Sequence, residues 1–234
     1  MSMLQGRKTD SSVELLSFLS EFEKIYKEAE PRIYPKKVEK GEKANELLMD
    51  ESTSERKIQR IDECLNFLKL RDYFLTRGYR SVEMKFATPA FFAMDYPTRK
   101  IYLNAASEFH LCKCIILENK RFKKEMESEF YHQFVCVVIQ FKTTLNNEKI
   151  IKVMKKYQNG NCTEKVSRKG FHYRLANDTA NEEISGYMHN AVTPFMFKNT
   201  KIPMVVSDRI RQLSPANFWL GGGHVNTKLS NFFK

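Results

Sequence analysis

Residues 186–224, GYMHNAVTPFMFKNTKIPMVVSDRIRQLSPANFWLGGGH, decide how the rest of this 234-residue chain is read. The stretch opens as an irregular loop closed by Val192-Thr193-Pro194 and continues into an apolar run, Ile202 to Val206. Ser207-Asp208 then reads as the start of a short polar helix, Phe218-Trp219-Leu220 as a second apolar run, and Gly221-Gly222-Gly223 precede His224. Taken alone, this is two strands joined by a helical turn and a glycine-rich bend. A loop of polar backbone held against buried strands is also how small molecules are recognised through the main chain. Three successive glycines permit positive φ and the close approach of a ligand or of another segment.

Two motifs in this stretch, His189-Asn190-Ala191-Val192-Thr193-Pro194 and Phe218-Trp219-Leu220-Gly221-Gly222-Gly223, resemble those of the YbaK-like aminoacyl-tRNA editing domains. That family includes the insertion domain of bacterial prolyl-tRNA synthetases, and the likeness is greatest to its eukaryotic branch. Earlier in the chain, Leu111-Cys112-Lys113-Cys114-Ile115 followed by Glu118-Asn119 resembles the segment that carries the family's lysine. The resemblance covers about Arg71 to Leu229. It implies an α+β fold with a curved mixed sheet packed by helices, and a deacylase of mischarged tRNA that needs no cofactor and no metal. Lys113 would engage the tRNA 3′ end and place the aminoacyl ester. The loop from Gly186 through His189, Asn190, Ala191 and Val192 to Thr193 and Pro194 would bind ester and ribose through main chain, with Thr193 as a hydroxyl donor and Pro194 fixing its shape. Gly221, Gly222 and Gly223 would complete the pocket, and His224 matches a histidine implied to protect correctly charged tRNA. Bacterial members commonly carry Gly-Gly where this chain has Asn190-Ala191, which puts the identity of the substrate in question more than activity.

The residues also speak for themselves. Leu111 to Leu117 is an apolar run broken by one charge, and alternation puts Leu111, Lys113, Ile115 and Leu117 on one face and Cys112, Cys114 and Ile116 on the other. A buried, unpaired ammonium is costly, so Lys113 must reach water, guard an edge, or point into a cleft that receives an anion. An aminoacyl ester is already activated, and its hydrolysis asks for a placed water and a steadied carbonyl oxygen more than for a strong nucleophile. That agrees with a sequence lacking GxSxG, HExxH and Walker motifs.

With 42% hydrophobic residues the chain can bury one sizeable core, and its net charge of +11 favours a polyanionic partner. Five cysteines without zinc-finger spacing read as reduced core thiols of a cytoplasmic protein. No apolar run has the length of a membrane span.

In order along the chain, residues 1–50 read as an amphipathic helix from Ser12 to Glu28, ended by Pro31 and Pro35, and a charged connection; residues 51–234 read as the editing domain. The connection's lysines are a solvated linker, a tether or an RNA contact. A second helix starts at Ser52-Thr53-Ser54-Glu55, shows Ile58, Ile61, Leu65 and Leu68 as a stripe, and stops at Gly78. Val82 to Phe86 reads as a strand, Pro89 to Pro97 as an aromatic loop, and Phe130 to Phe141 as a strand apolar on both faces. Asn147 to Gln158 is a helix ended by Gly160, whose Lys149, Lys152, Lys155 and Lys156 form either a solvated face or a tRNA phosphate contact. Phe171 to Leu175 reads as a short strand, and Asn177-Asp178 as the cap of a short helix. The expected function is trans-editing of tRNA for proline carrying alanine or cysteine, which evade a proline-sized synthetic site by size. Alternatives are a non-catalytic module that binds tRNA or docks on a synthetase complex through the N-terminal helix, or an excised domain of a prolyl-tRNA synthetase.

Overall fold

The computed structural model describes residues 53–79 and 81–232. The expected helix Ser12–Glu28 and the charged connection after it lie outside the described residues. Helix α1 (Thr53–Thr76) buries Leu70 and Phe74, with Leu65 and Leu68 half-buried beside them. It ends as its sequence predicts: Gly78 adopts φ +74°, its N–H donates to Leu75 O at 3.0 Å, and the Tyr79 N–H reaches back to Phe74 O at 2.8 Å.

Strand β1 (Glu83–Phe86) leads into a 3-10 turn over Pro89–Ala93 and then helix α2 (Tyr96–Leu103). The sequence gives Pro89 to Pro97 only as an aromatic loop. The helix forms because Asp95 caps it, accepting the Thr98 N–H at 2.9 Å, and because Pro97 sits in its first turn, where no N–H is needed. Strand β2 (Cys112–Asn119) and strand β3 (Phe134–Gln140) form an antiparallel pair, and helix α3 (Asn147–Asn161) follows, capped by Asn146. Gly160 does not stop this helix; it lies within it, and Cys162 takes the C-cap. Strand β4 (Tyr173–Leu175), helix α4 (Asp178–Ser185), strand β5 (Met204–Val206), the single-turn helix α5 (Asp208–Arg211), strand β6 (Asn217–Gly221) and strand β7 (Thr227–Phe232) complete the order.

The architecture is α+β. The expected single curved sheet is divided into two: a mixed sheet in the order β4-β2-β3-β5, in which only β3 and β5 run parallel, and an antiparallel sheet in the order β1-β7-β6. A bridge between Leu111 and Trp219 joins them. Alternation along β2 sends its two faces to different cores. Cys112, Cys114 and Ile116 pack with Phe218, Leu220, Leu229 and helix α1, while Leu117 and Ile115 pack with β3 and the apolar face of α3. A third cluster of Phe91, Leu103, Leu111 and Trp219 fills the junction of the two sheets.

Candidate active site

Beyond the Leu111–Trp219 bridge, β2 and β6 separate, and a cavity opens between them. Its volume is about 140 Å³, the scale of one small ring or amino-acid side chain. One wall is the edge of β2 from Cys112 to Ile116. The facing wall is Trp219, Leu220 and Gly221 of β6 with Lys228 of β7, and Phe91, Phe92, Arg99 and Phe141 form an aromatic end. His189, Asn190 and Val192 bring the loop after α4 to the same space.

Backbone register decides what β2 offers the cavity. Residues 111 and 119 exchange hydrogen bonds with the β3 side, Phe141 N–H to Leu111 O at 2.8 Å and Asn119 N–H to Gln133 O at 2.7 Å. In an antiparallel pair this direction alternates, so the odd-numbered residues, Lys113 among them, bond to β3 and the even-numbered ones turn their peptide groups the other way. Ile116 O accordingly accepts the Ala176 N–H at 3.0 Å, and β4 pairs with β2 only from Leu117 to Asn119. The N–H and C=O of Cys114 therefore face the cavity along an edge that no strand of the described residues covers.

Lys113 lines the cavity and is half-buried, with its ammonium 5.8 Å from the Phe141 ring centroid. The structure thus puts it at a cleft, one of the three placements its sequence allowed. The neighbouring thiols are not nucleophiles: burial pushes Cys112 up to about 12, and Cys114, whose sulfur lies 3.1 Å from that of Cys136, is raised well above the ordinary thiol range by burial and by that contact.

The loop is held from beneath. Gly186 ends α4 at φ +80°, the Asn181 side chain donates to Tyr187 O at 2.9 Å, the Ser185 hydroxyl donates to Asn181 O at 2.7 Å, and the Tyr187 hydroxyl donates to Phe195 O at 2.8 Å. Asn190 takes φ +63°, a left-handed conformation that asparagine tolerates better than most residues. At the cavity rim His189 Nδ1 lies 3.1 Å from Asp178 Oδ1, both exposed. The glycine run is the loop's seat. A Cβ on Gly221 would lie 2.6 Å from Val192 O and 3.2 Å from Ala191 O, and the Gly223 N–H donates to Ala191 O at 3.0 Å.

Of the residues expected at the site, Lys113, His189, Asn190, Val192 and Gly221 line the cavity. Gly186, Ala191, Gly222 and Gly223 do not line it; they shape or brace the loop. Thr193 is wholly buried, its Oγ1 lacks a hydrogen-bond partner among the described residues, and neither it nor Pro194 is a wall of the cavity. His224 lies in the β6–β7 turn, where its Nδ1 accepts the Asn226 N–H at 3.2 Å. Lys149, Lys152, Lys155 and Lys156 are on α3, also away from the cavity.

Two cations of the cavity escaped the sequence reading. Arg99 is buried and donates to three main-chain oxygens, Phe91 at 3.1 Å, Met94 at 3.0 Å and Phe92 at 2.6 Å, so it pins the aromatic end. Lys228 is buried beside it on β7. The Asp95 cap announces the helix that carries Arg99; nothing in the short, polar β7 marks Lys228 as inward.

No protein-family model and no curated protein matches the sequence. Solved structures do. A candidate trans-editing enzyme for prolyl-tRNA synthetase superposes with a TM-score of 0.52 at 12% identity, covering 71% of this chain and 86% of that one. The chain has that protein's fold. A hypothetical protein superposes with a TM-score of 0.50 at 19% identity, covering 70% of this chain and 88% of that one. Among the described residues no helix is long and apolar enough to cross a membrane, and no group of three or more His, Cys, Asp or Glu could hold a metal ion.

Proposed function

We propose that this chain is an aminoacyl-tRNA editing hydrolase that cleaves the ester of tRNA for proline carrying a wrong small amino acid, alanine or cysteine. The observation that carries this reading is the composition of the cavity: Lys113, an open strand edge and a braced loop converge on a space of about 140 Å³. Such a site can hold an already activated ester by its peptide groups and exclude a bulky side chain, while the cation neutralises the phosphates that accompany it. The fold shared with a candidate trans-editing enzyme supports the same reading.

In this proposal Lys113 binds the tRNA 3′ end, the Cys114 peptide and the loop at Asn190 to Val192 orient the ester, and Thr193 and Pro194 act by fixing that loop. His224 acts through the turn that seats it, and Lys149, Lys152, Lys155 and Lys156 add phosphate contacts along α3. The N-terminal segment, residues 1–50, is a separate docking element for a synthetase, and residues 51–234 are the editing domain. The cytoplasm is the compartment this substrate calls for.

The test is single-turnover release of alanine, cysteine, serine and proline from tRNA for proline by the unmodified protein and by Lys113→Ala. We expect release of one wrong amino acid at a rate at least 100-fold above that of the variant, with the prolyl ester intact. Equal rates would remove Lys113 from the site. Binding of the tRNA with no release of any amino acid would make the chain a non-catalytic module.

A further inference from the structure

Lys228 is 4% exposed. On β7 its register neighbours are Lys85 of β1 and Gly221 of β6. Its ammonium lies 4.8 Å and 4.7 Å from the ring centroids of Phe91 and Phe92 and donates to Val225 O at 2.6 Å and Thr227 O at 3.3 Å. Arg99 shares both rings, at 5.3 Å and 5.5 Å. The two cations therefore meet at the aromatic end of the cavity, and no carboxylate of the described residues forms an ion pair with either.

The other groups around Lys228 do not supply the missing charge. Lys85, opposite it, is engaged by Glu83 at 3.0 Å and by Leu103 O at 3.0 Å. Lys113 on β2 adds a third cation to the cavity, and Cys112 and Cys114 remain protonated thiols. Tyr96 packs near Arg99, the Asp95 carboxylate favours the charged form of Arg99 without forming an ion pair with it and has no such effect on Lys228, and Asp178 at the rim faces His189. Ring faces and carbonyls offset part of the cost of burying an ammonium, but a buried cation without a counter-ion remains expensive by several kcal/mol. The occupant that relieves this is an anion.

We propose that Lys228 and Arg99 form an oxyanion subsite beside Lys113, that the subsite receives a phosphate group of the tRNA end, and that Lys228 takes up a proton from solvent as the phosphate enters. Only the owner of the phosphate rests on the function proposed above; the subsite itself does not require hydrolysis. Burial, with the Arg99 charge added to it, lowers Lys228 to about 7, so near neutral pH part of the population is an uncharged amine. An anion next to it favours the charged form and draws in the proton.

The experiment is isothermal titration calorimetry with inorganic phosphate, with the trinucleotide CCA and with acetate. Each is run near pH 7 and at pH 5.5 in buffers of different ionisation enthalpy. With the unmodified protein, phosphate and CCA are expected to bind, and CCA, whose phosphodiesters do not titrate in this range, is expected to bind with uptake of a fraction of a proton near pH 7 and none at pH 5.5, where Lys228 is already charged. Lys228→Met keeps an apolar stem of similar length and is expected to weaken binding at least tenfold and to abolish the uptake. Binding of CCA without uptake by the unmodified protein, or no binding of any probe, overturns the proposal, and that readout stands even if the variant does not fold. Acetate binding with uptake while phosphate fails would assign the subsite to a carboxylate and overturn the nucleic-acid assignment. Because no ester is present, failure of the editing reaction is read separately.

Discussion

The two lysines of the cavity differ in how their sequences announce them. Lys113 interrupts an apolar run, and one charge in a strand otherwise made of Leu, Cys and Ile demands an explanation. Lys228 stands among Thr227, Ser230 and Asn231, where a lysine looks solvated, and only its pairing opposite Lys85 and Gly221 turns it inward. Its burial has a consequence for stability. The folded chain releases the Lys228 proton near pH 7, whereas the unfolded chain holds it to the ordinary lysine value of 10.5. Below that window both states are charged and the full cost is present. As pH rises through the window the unfolded state binds more protons, so the native state gains up to about 1.4 kcal/mol per pH unit from this group. Urea unfolding of the unmodified protein and Lys228→Met at pH 6.5, 8 and 9.5 checks this: the stability difference in favour of the variant should shrink as pH rises, and a constant difference would contradict it.

Among the elements, those with regular periodicity or a clear stop were legible: α1 with its glycine stop, β2, β3 and α3. The reading failed where signals were short or in competition. Helix α2 was hidden by the aromatic run around it although Asp95 and Pro97 announced it, and Gly160 was taken as a stop because a helix tolerates glycine only at some cost. Strand β7 reads TKLSNF, polar but for Leu229 and Phe232. The loop and the glycine run were both visible, but not that one seats the other. That seating makes Gly221 sensitive. A methyl group there meets backbone oxygens of Ala191 and Val192, which cannot rotate away. Gly221→Ala is expected to destabilise by about 1–3 kcal/mol, as overpacking does, and to lower editing activity by displacing the loop. Gly160→Ala, with nothing within 4 Å of the added carbon, should instead stabilise α3 by about 0.5–1 kcal/mol. Thermal unfolding of both variants gives the comparison, and a neutral Gly221→Ala would show that the loop has another support.

For the whole molecule, α+β composition was readable from the alternation of helical and strand periods, but the division into two sheets was not. That division rests on long-range pairing, β1 with β7 and β2 beside β6, which local pattern does not encode. The docking role proposed for the N-terminal segment is tested at this scale. Removal of residues 1–50 should leave single-turnover hydrolysis within about twofold while abolishing capture by a synthetase; loss of both together with solubility would instead make the segment part of the core. The open edge of β2 bears on how such a protein changes over time. A ligand bonded to the peptide of Cys114 is indifferent to the side chain there, so the surrounding sequence can drift while the contact endures. The same indifference would frustrate resistance to an inhibitor that docks on that peptide: of the twenty residues only proline deletes the amide proton, and even proline leaves the carbonyl oxygen in place.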